Sequence, residues 1–217
     1  MTSLGPMVPR TARLGGLLFL LGSLQFVIAM AVVQAMYPGY TDFGNYVSDL
    51  GSSHSPWAWL FNDSIRLLGV MGFFGTLLIR SAIPARTSGR VGLAFLIIAS
   101  VGAFLVGSFP EGSPQLGGNI HSIVSAITFI GSGLGLLALG PAMLRDTRWE
   151  GFRGYTFFSG IVTLIALALF LTSAYPGLGR GGMERLIIAP VLLWAIVAGT
   201  HLLRLQPYSG VRLASPA

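Results

Sequence analysis

Residues 14–36 read LGGLLFLLGSLQFVIAMAVVQAM, a run from Leu14 to Met36 without one ionisable side chain. A helix rising 1.5 Å per residue needs about 20 mainly apolar residues to cross a bilayer. The run is also longer than the roughly 7–15 apolar residues of a signal-peptide core. Although Arg10 and Arg13 precede it, it therefore reads as an uncleaved first membrane helix. Five further stretches share its character: Trp57 to Ile79, Val91 to Phe109, Ile120 to Leu144, Gly154 to Ala174 and Leu186 to Leu205. The third is the shortest, and Pro190 is expected to break the sixth. The fold class that follows is all-α: one transmembrane domain over 1–217, a six-helix bundle of a multi-pass cell-membrane protein.

Composition points the same way. Of the 217 residues, 53% are hydrophobic and only 9% charged, against about 25% charged in an ordinary soluble domain. Mean hydropathy is +0.75. So little charge also excludes a disordered chain and a long coiled coil. The absence of cysteine removes disulfides, thiolate metal sites, iron–sulfur clusters and cysteine nucleophiles together.

The 13 basic residues are all arginine, and their placement sets the expected topology. Arg10, Arg13, Arg80, Arg86, Arg90, Arg145, Arg148, Arg153, Arg204 and Arg212 fall on one side of the six spans. Arg180 and Arg185 fall on the other, and Arg66 lies within the second span. By the positive-inside rule both termini are expected in the cytoplasm. Spread over four short segments, these arginines do not form a nucleic-acid-binding patch. Each outward loop opens on an aromatic–proline pair, at Tyr37-Pro38, Phe109-Pro110 and Tyr175-Pro176. Such a pair reads either as a repeated hairpin or as an interfacial aromatic before a residue that cannot continue a helix. The 30 glycines are about twice the usual share and suit close helix packing in lipid. Gly131 and Gly135 form a small-xxx-small pair, read first as packing within the bundle and second as a face for a homo-oligomer.

Ionisable groups within the hydrocarbon cost about 2.5–3.5 kcal/mol on insertion scales and so usually face partners inside a bundle. Asn62, Asp63 and Arg66 lie roughly 8–14 Å below the outer end of the second span. Asp63 and Arg66, spaced i, i+3, are placed to pair. His121 opens the fourth span, with Ser125 and Thr128 on its face, and Glu184 and Arg185 precede the sixth. The first outer loop adds Ser48 and Asp49, and the second Glu111. Together these predict an outward-facing polar cavity lined by the second, fourth and sixth spans and roofed by the first outer loop.

Ser48-Asp49-Leu50-Gly51, Asn62, Phe109-Pro110-Glu111, His121 and Glu184-Arg185, in this order relative to the spans, resemble a family of bacterial and archaeal membrane proteins. It is catalogued as domain of unknown function 998. The resemblance runs from the first span to the sixth. It implies a multi-span membrane protein and brings no activity with it.

Several chemistries fit these residues. Arg66 and Arg185, with the positive ends of the three helices that start on the outer side, would suit a lipid head group or a small anionic ligand. Asp63 and Glu184 would set their orientation, and Asn62 and Glu111 complete the ligand-binding set. A hydrolase would use His121 with Ser48 or Asp49, though no nucleophile-elbow pattern accompanies them. A small-solute transporter and a purely structural protein are the remaining readings. His54, His121 and His201 cannot meet in this topology, so a three-histidine zinc site and a bis-histidine haem are both disfavoured. A mixed site of His121, Asp49, Asp63 and Glu184 is the metal arrangement left. No metal and no cofactor is assigned; the expected partners are membrane lipids and a small anionic ligand.

Overall fold

The computed structural model describes residues 6–208; Arg212 lies outside them. Its six long helices are α1 (Arg10–Ala35), α2 (Ala58–Ile79), α3 (Thr87–Ser108), α4 (Ile120–Ala142), α5 (Phe152–Leu171) and α6 (Gly179–Arg204). All six are long and apolar enough to cross a membrane, and the chain is a multi-pass membrane protein. Each helix packs on the next in chain order and α6 closes against α1, so the six form a ring around a central axis. Consecutive helices run in opposite directions, and both chain ends meet on one side. There Met7–Pro9 (β1) pairs in parallel with Gln206–Tyr208 (β2), Val8 opposite Pro207.

Large apolar side chains on the perimeter, such as Leu14, Leu21 and Ile28 of α1 and Phe158 and Ile165 of α5, are exposed. They occupy the face that lipid covers. Between helices, small residues let backbones meet, as expected where lipid provides little hydrophobic drive to pack. A Cβ on Gly131 would lie 3.1 Å from the Phe95 carbonyl oxygen, and one on Gly135 2.9 Å from Leu96. Both glycines of the small-xxx-small pair are therefore used against α3 within one chain.

The end of the bundle that carries the termini holds a packed core. Ile79, Leu139, Met143, Trp149, Trp194 and Leu202 are buried there in one core. The Trp149 indole donates to the Ala82 carbonyl at 2.9 Å and that of Trp194 to the Thr156 hydroxyl at 3.0 Å, so their polar ends are satisfied inside apolar surroundings. His201 stacks on Phe152 with ring centres 5.5 Å apart, and its Nε2 lies 2.6 Å from the Arg148 carbonyl.

Two expectations from the sequence are corrected. α6 begins at Gly179, not Leu186, so Glu184 and Arg185 lie inside the helix. Its glycines are there for contact: the Gly181 amide donates to the Phe43 carbonyl at 3.1 Å, and a Cβ on Gly181 would collide with the Asn45 and Asp42 carbonyls. α6 also runs unbroken through Pro190. The aromatic–proline pairs turn out to be turn chemistry. Tyr37, Pro110 and Tyr175 each accept from the amide three residues on, at 3.2, 3.0 and 2.7 Å. The third residue of each turn is a glycine with φ of +76°, +85° and +76°, a left-handed conformation that glycine adopts without steric cost.

Candidate functional site

At the end opposite the termini the ring is not filled. The first outer loop, 37–56, is drawn across it and fastened by side chains of α6. Arg185 donates to the Asp42 carbonyl at 2.7 Å, to the Asp42 carboxylate at 3.1 Å and to the Tyr40 hydroxyl at 2.9 Å. Tyr40 in turn donates to the Tyr46 carbonyl at 2.9 Å. Burial holds the Tyr40 phenol above its ordinary pKa against the lowering effect of Arg185, so it remains a neutral donor. Arg180 donates to the Gly44 carbonyl and lies 4.8 Å over the Tyr46 ring.

The loop's 3₁₀ turn, Ser48–Gly51, is held from beneath. The Glu184 carboxylate is buried and accepts from the Val47 amide at 2.7 Å. A carboxylate at the start of a helical turn satisfies amides that have no partner in the turn itself. Asn62 fastens the other end of the turn by donating to the Gly51 carbonyl at 2.9 Å. The Asn62 side chain lies so close to this turn that a Cβ on Gly51 would collide with its amide oxygen.

His121, in the first turn of α4, is 7% exposed. Its Nδ1 lies 2.9 Å from the Phe109 carbonyl oxygen at the end of α3. A carbonyl can only accept, so Nδ1 carries a proton and Nε2 is the nitrogen left to face the other polar groups. The Ser125 hydroxyl, one turn further along, is 3.4 Å from Nε2, and a Glu111 carboxylate oxygen is 3.2 Å from it. His121 thus stands between a hydroxyl and an acid, with its other nitrogen pinned by backbone.

Two cavities meet at this histidine. An outer vestibule of about 280 Å³ lies among α4, α5, α6 and the loops, with Tyr46, Glu111, Ser122, Phe170 and Leu171 in its wall. An inner chamber of about 150 Å³ lies on the bundle axis, walled by apolar side chains such as Phe26, Leu68, Val106, Ile187 and Leu192. Ser48, His121, Ser125, Phe129 and Glu184 belong to both walls. Deep in the chamber wall the Ser23 hydroxyl is 1% exposed and has no hydrogen-bond partner.

The structure therefore brings together Ser48, Glu111, His121 and Glu184 and leaves the other residues singled out from the sequence elsewhere. Asp63 and Arg66 pair at 2.5 Å on an exposed face of α2, their side chains 59% and 39% exposed. Neither lines the vestibule or the chamber. Arg185 is spent on the loop. The expected anion cradle of Arg66 and Arg185 is thus not formed, because each guanidinium already has acidic or carbonyl partners. Asp49 folds back on its own loop, its carboxylate accepting from the Tyr46 amide at 2.9 Å, and Asn62 is a loop anchor. Among the described residues, no three histidine and acidic side chains converge as a metal ion would require. The sequence reading passed over Gln25, which joins α1 to α2 by donating to the Ser64 carbonyl at 2.9 Å. It also passed over Ser23, whose lone hydroxyl in an apolar run resembles any helix-packing serine.

Compared with known families, residues 20–201 match the family described as Protein of unknown function (DUF998). No curated protein and no solved structure matches the chain. The match covers most of the 217 residues, and the chain belongs to that family.

Proposed function

We propose that this member of the DUF998 family is a cell-membrane protein that binds a lipid or lipid-like amphiphile from the outer side. Its polar head would sit in the vestibule and its apolar part in the chamber. The observation that carries the reading is that His121 and Glu184, both buried, stand at the junction of a polar hollow and an apolar one. Pockets that combine apolar walls with a few convergent polar groups are the usual form of a small-molecule site. An apolar cavity near 150 Å³ has room for about benzene's bulk, which is the head-proximal part of an alkyl chain. The arginine distribution supports a cytoplasmic position for the termini and hence an outward-facing vestibule. The packed core at the terminal end favours a one-sided pocket over a path through the bundle.

The test is photo-crosslinking with a phospholipid carrying a diazirine in its acyl chain, reconstituted with the protein in nanodiscs. The expected adducts map to chamber residues such as Phe129, Ile187 and Leu192 and disappear when Ala195→Phe fills the chamber. Adducts confined to perimeter residues such as Ile28 and Phe158, unchanged by Ala195→Phe, would refute the reading.

A second reading rests on the Ser125–His121 contact. With Nδ1 held by Phe109, Nε2 is placed to take the Ser125 hydroxyl proton, and Glu111 is placed to hold the imidazolium that results. Such a pair would act on an ester-linked amphiphile. A fluorophosphonate probe should then label wild type but not Ser125→Ala, and absence of labelling in wild type would remove this reading.

A further inference from the structure

The charge of the vestibule indicates which head group it takes. Its wall contains two carboxylates, Glu111 and Glu184, and no arginine. The nearest guanidiniums are engaged: Arg185 with Asp42 and Tyr40, Arg180 with the Gly44 carbonyl. Three aromatic rings, Tyr46, Phe129 and Phe170, stand in the same wall, with Tyr46 and Phe170 meeting edge-on at 5.8 Å. The Tyr46 ring already carries one cation, Arg180. Carboxylates beside aromatic faces are how ammonium groups are recognised, by Coulomb attraction and by the negative face of the ring. An anion entering here would meet two acids with no arginine in the wall to offset them.

A separate observation points to a ligand in the adjoining chamber. The Ser23 hydroxyl is 1% exposed, lines the apolar cavity and has no partner. A buried polar group is rarely left unpaired, and an oxygen on an occupant of the chamber would complete it.

We infer that the ligand is a cationic amphiphile, with an amine or quaternary ammonium head held by Glu111, Glu184 and the aromatic wall. This rests on the amphiphile-binding reading above.

The experiment competes the photo-phospholipid with three probes of equal chain length: dodecyltrimethylammonium, dodecanol and dodecanoate, each below its micellar concentration. In wild type the ammonium probe should compete about tenfold better than the alcohol, and dodecanoate should be the weakest. In Glu111→Gln, whose carboxylate is surface-accessible, and in Glu184→Gln, which keeps an acceptor for the Val47 amide, that advantage should shrink. Competition by dodecanol should fall less than competition by the ammonium probe; an undiminished ammonium advantage in both variants would overturn the role of the two carboxylates. Equal or stronger competition by dodecanoate or dodecanol in wild type, with chamber cross-linking intact, would overturn the cationic assignment alone. Absence of chamber cross-linking in wild type would overturn both readings.

Discussion

Glu184→Ala is the sharpest perturbation of this site. The carboxylate is buried and bonds the Val47 amide at 2.7 Å. Truncation leaves that donor, on a residue only 2% exposed, without a partner. Orphaning a buried donor costs about 1–3 kcal/mol. The 3₁₀ turn depends on this bond, whereas the helix ring is built by other contacts, so the loss should fall on the loop. Since 1.36 kcal/mol is a factor of ten, amide protection at residues 47–50 should drop by about fivefold or more. The assay is hydrogen–deuterium exchange in nanodiscs, with α3 and α4 as internal references. Glu184→Gln keeps an acceptor oxygen and should lose less than Glu184→Ala. Unchanged protection at 47–50 in Glu184→Ala would refute the claim that this carboxylate holds the roof; uniform loss across all helices would show that it supports the whole bundle instead.

Other expectations follow from single contacts. Asn62→Ala removes the bond to the Gly51 carbonyl and should cost about 1–3 kcal/mol, read as a lower melting temperature by size-exclusion thermal challenge. Gly131→Leu should wedge α4 from α3 and cut the yield of folded protein, while mass photometry on the surviving fraction shows an unaltered oligomeric state; a shift in that state would return the glycine pair to an intermolecular face. The double change Asp63→Ala with Arg66→Ala deletes an exposed pair, of a kind worth about 0–1 kcal/mol, and should leave cross-linking in the chamber unaltered. At the terminal end, burial tends to raise the Asp146 pKa, but hydrogen bonds and charge from Arg148 outweigh it and hold it below the ordinary value of 3.8. A depressed carboxylate stabilises the fold above its unfolded pKa and loses that contribution as pH falls through the folded value. The stability difference between wild type and Asp146→Asn should therefore be present at pH 7 and fade below pH about 4, as followed by Trp149 fluorescence.

Six spans, their order and the arginine asymmetry are local properties of the chain. Each span is a run of about 20 apolar residues, and a bilayer forces such runs to satisfy their own backbone as helices. Patterning of this kind needs no partner to be readable, so Leu14–Met36 alone already implied the class of protein. The start of α6 was not legible, because Gly179, Gly181 and Gly182 lower helix propensity, and only contact with Phe43 and Asn45 shows why glycine stands there.

The polar residues divide for a similar reason. That Asp63, Arg66, Glu184, Arg185 and His121 were costly in lipid could be read from their depth, and each does have polar partners. Which partner each one found depends on rotation about the helix axis, a quantity that hydropathy does not encode. Successive residues on a helix turn through about 100°. Asp63 and Arg66 therefore pair on an exposed face of α2 while Asn62, one position earlier, turns inward to Gly51. Arg185 reaches the loop while neighbouring Glu184 faces the cavity. The sequence determined that hydrophilic groups gather at the end opposite the termini. Only the closing of the helix ring decided that two acids, a histidine and several serines, with no arginine among them, surround the hollow.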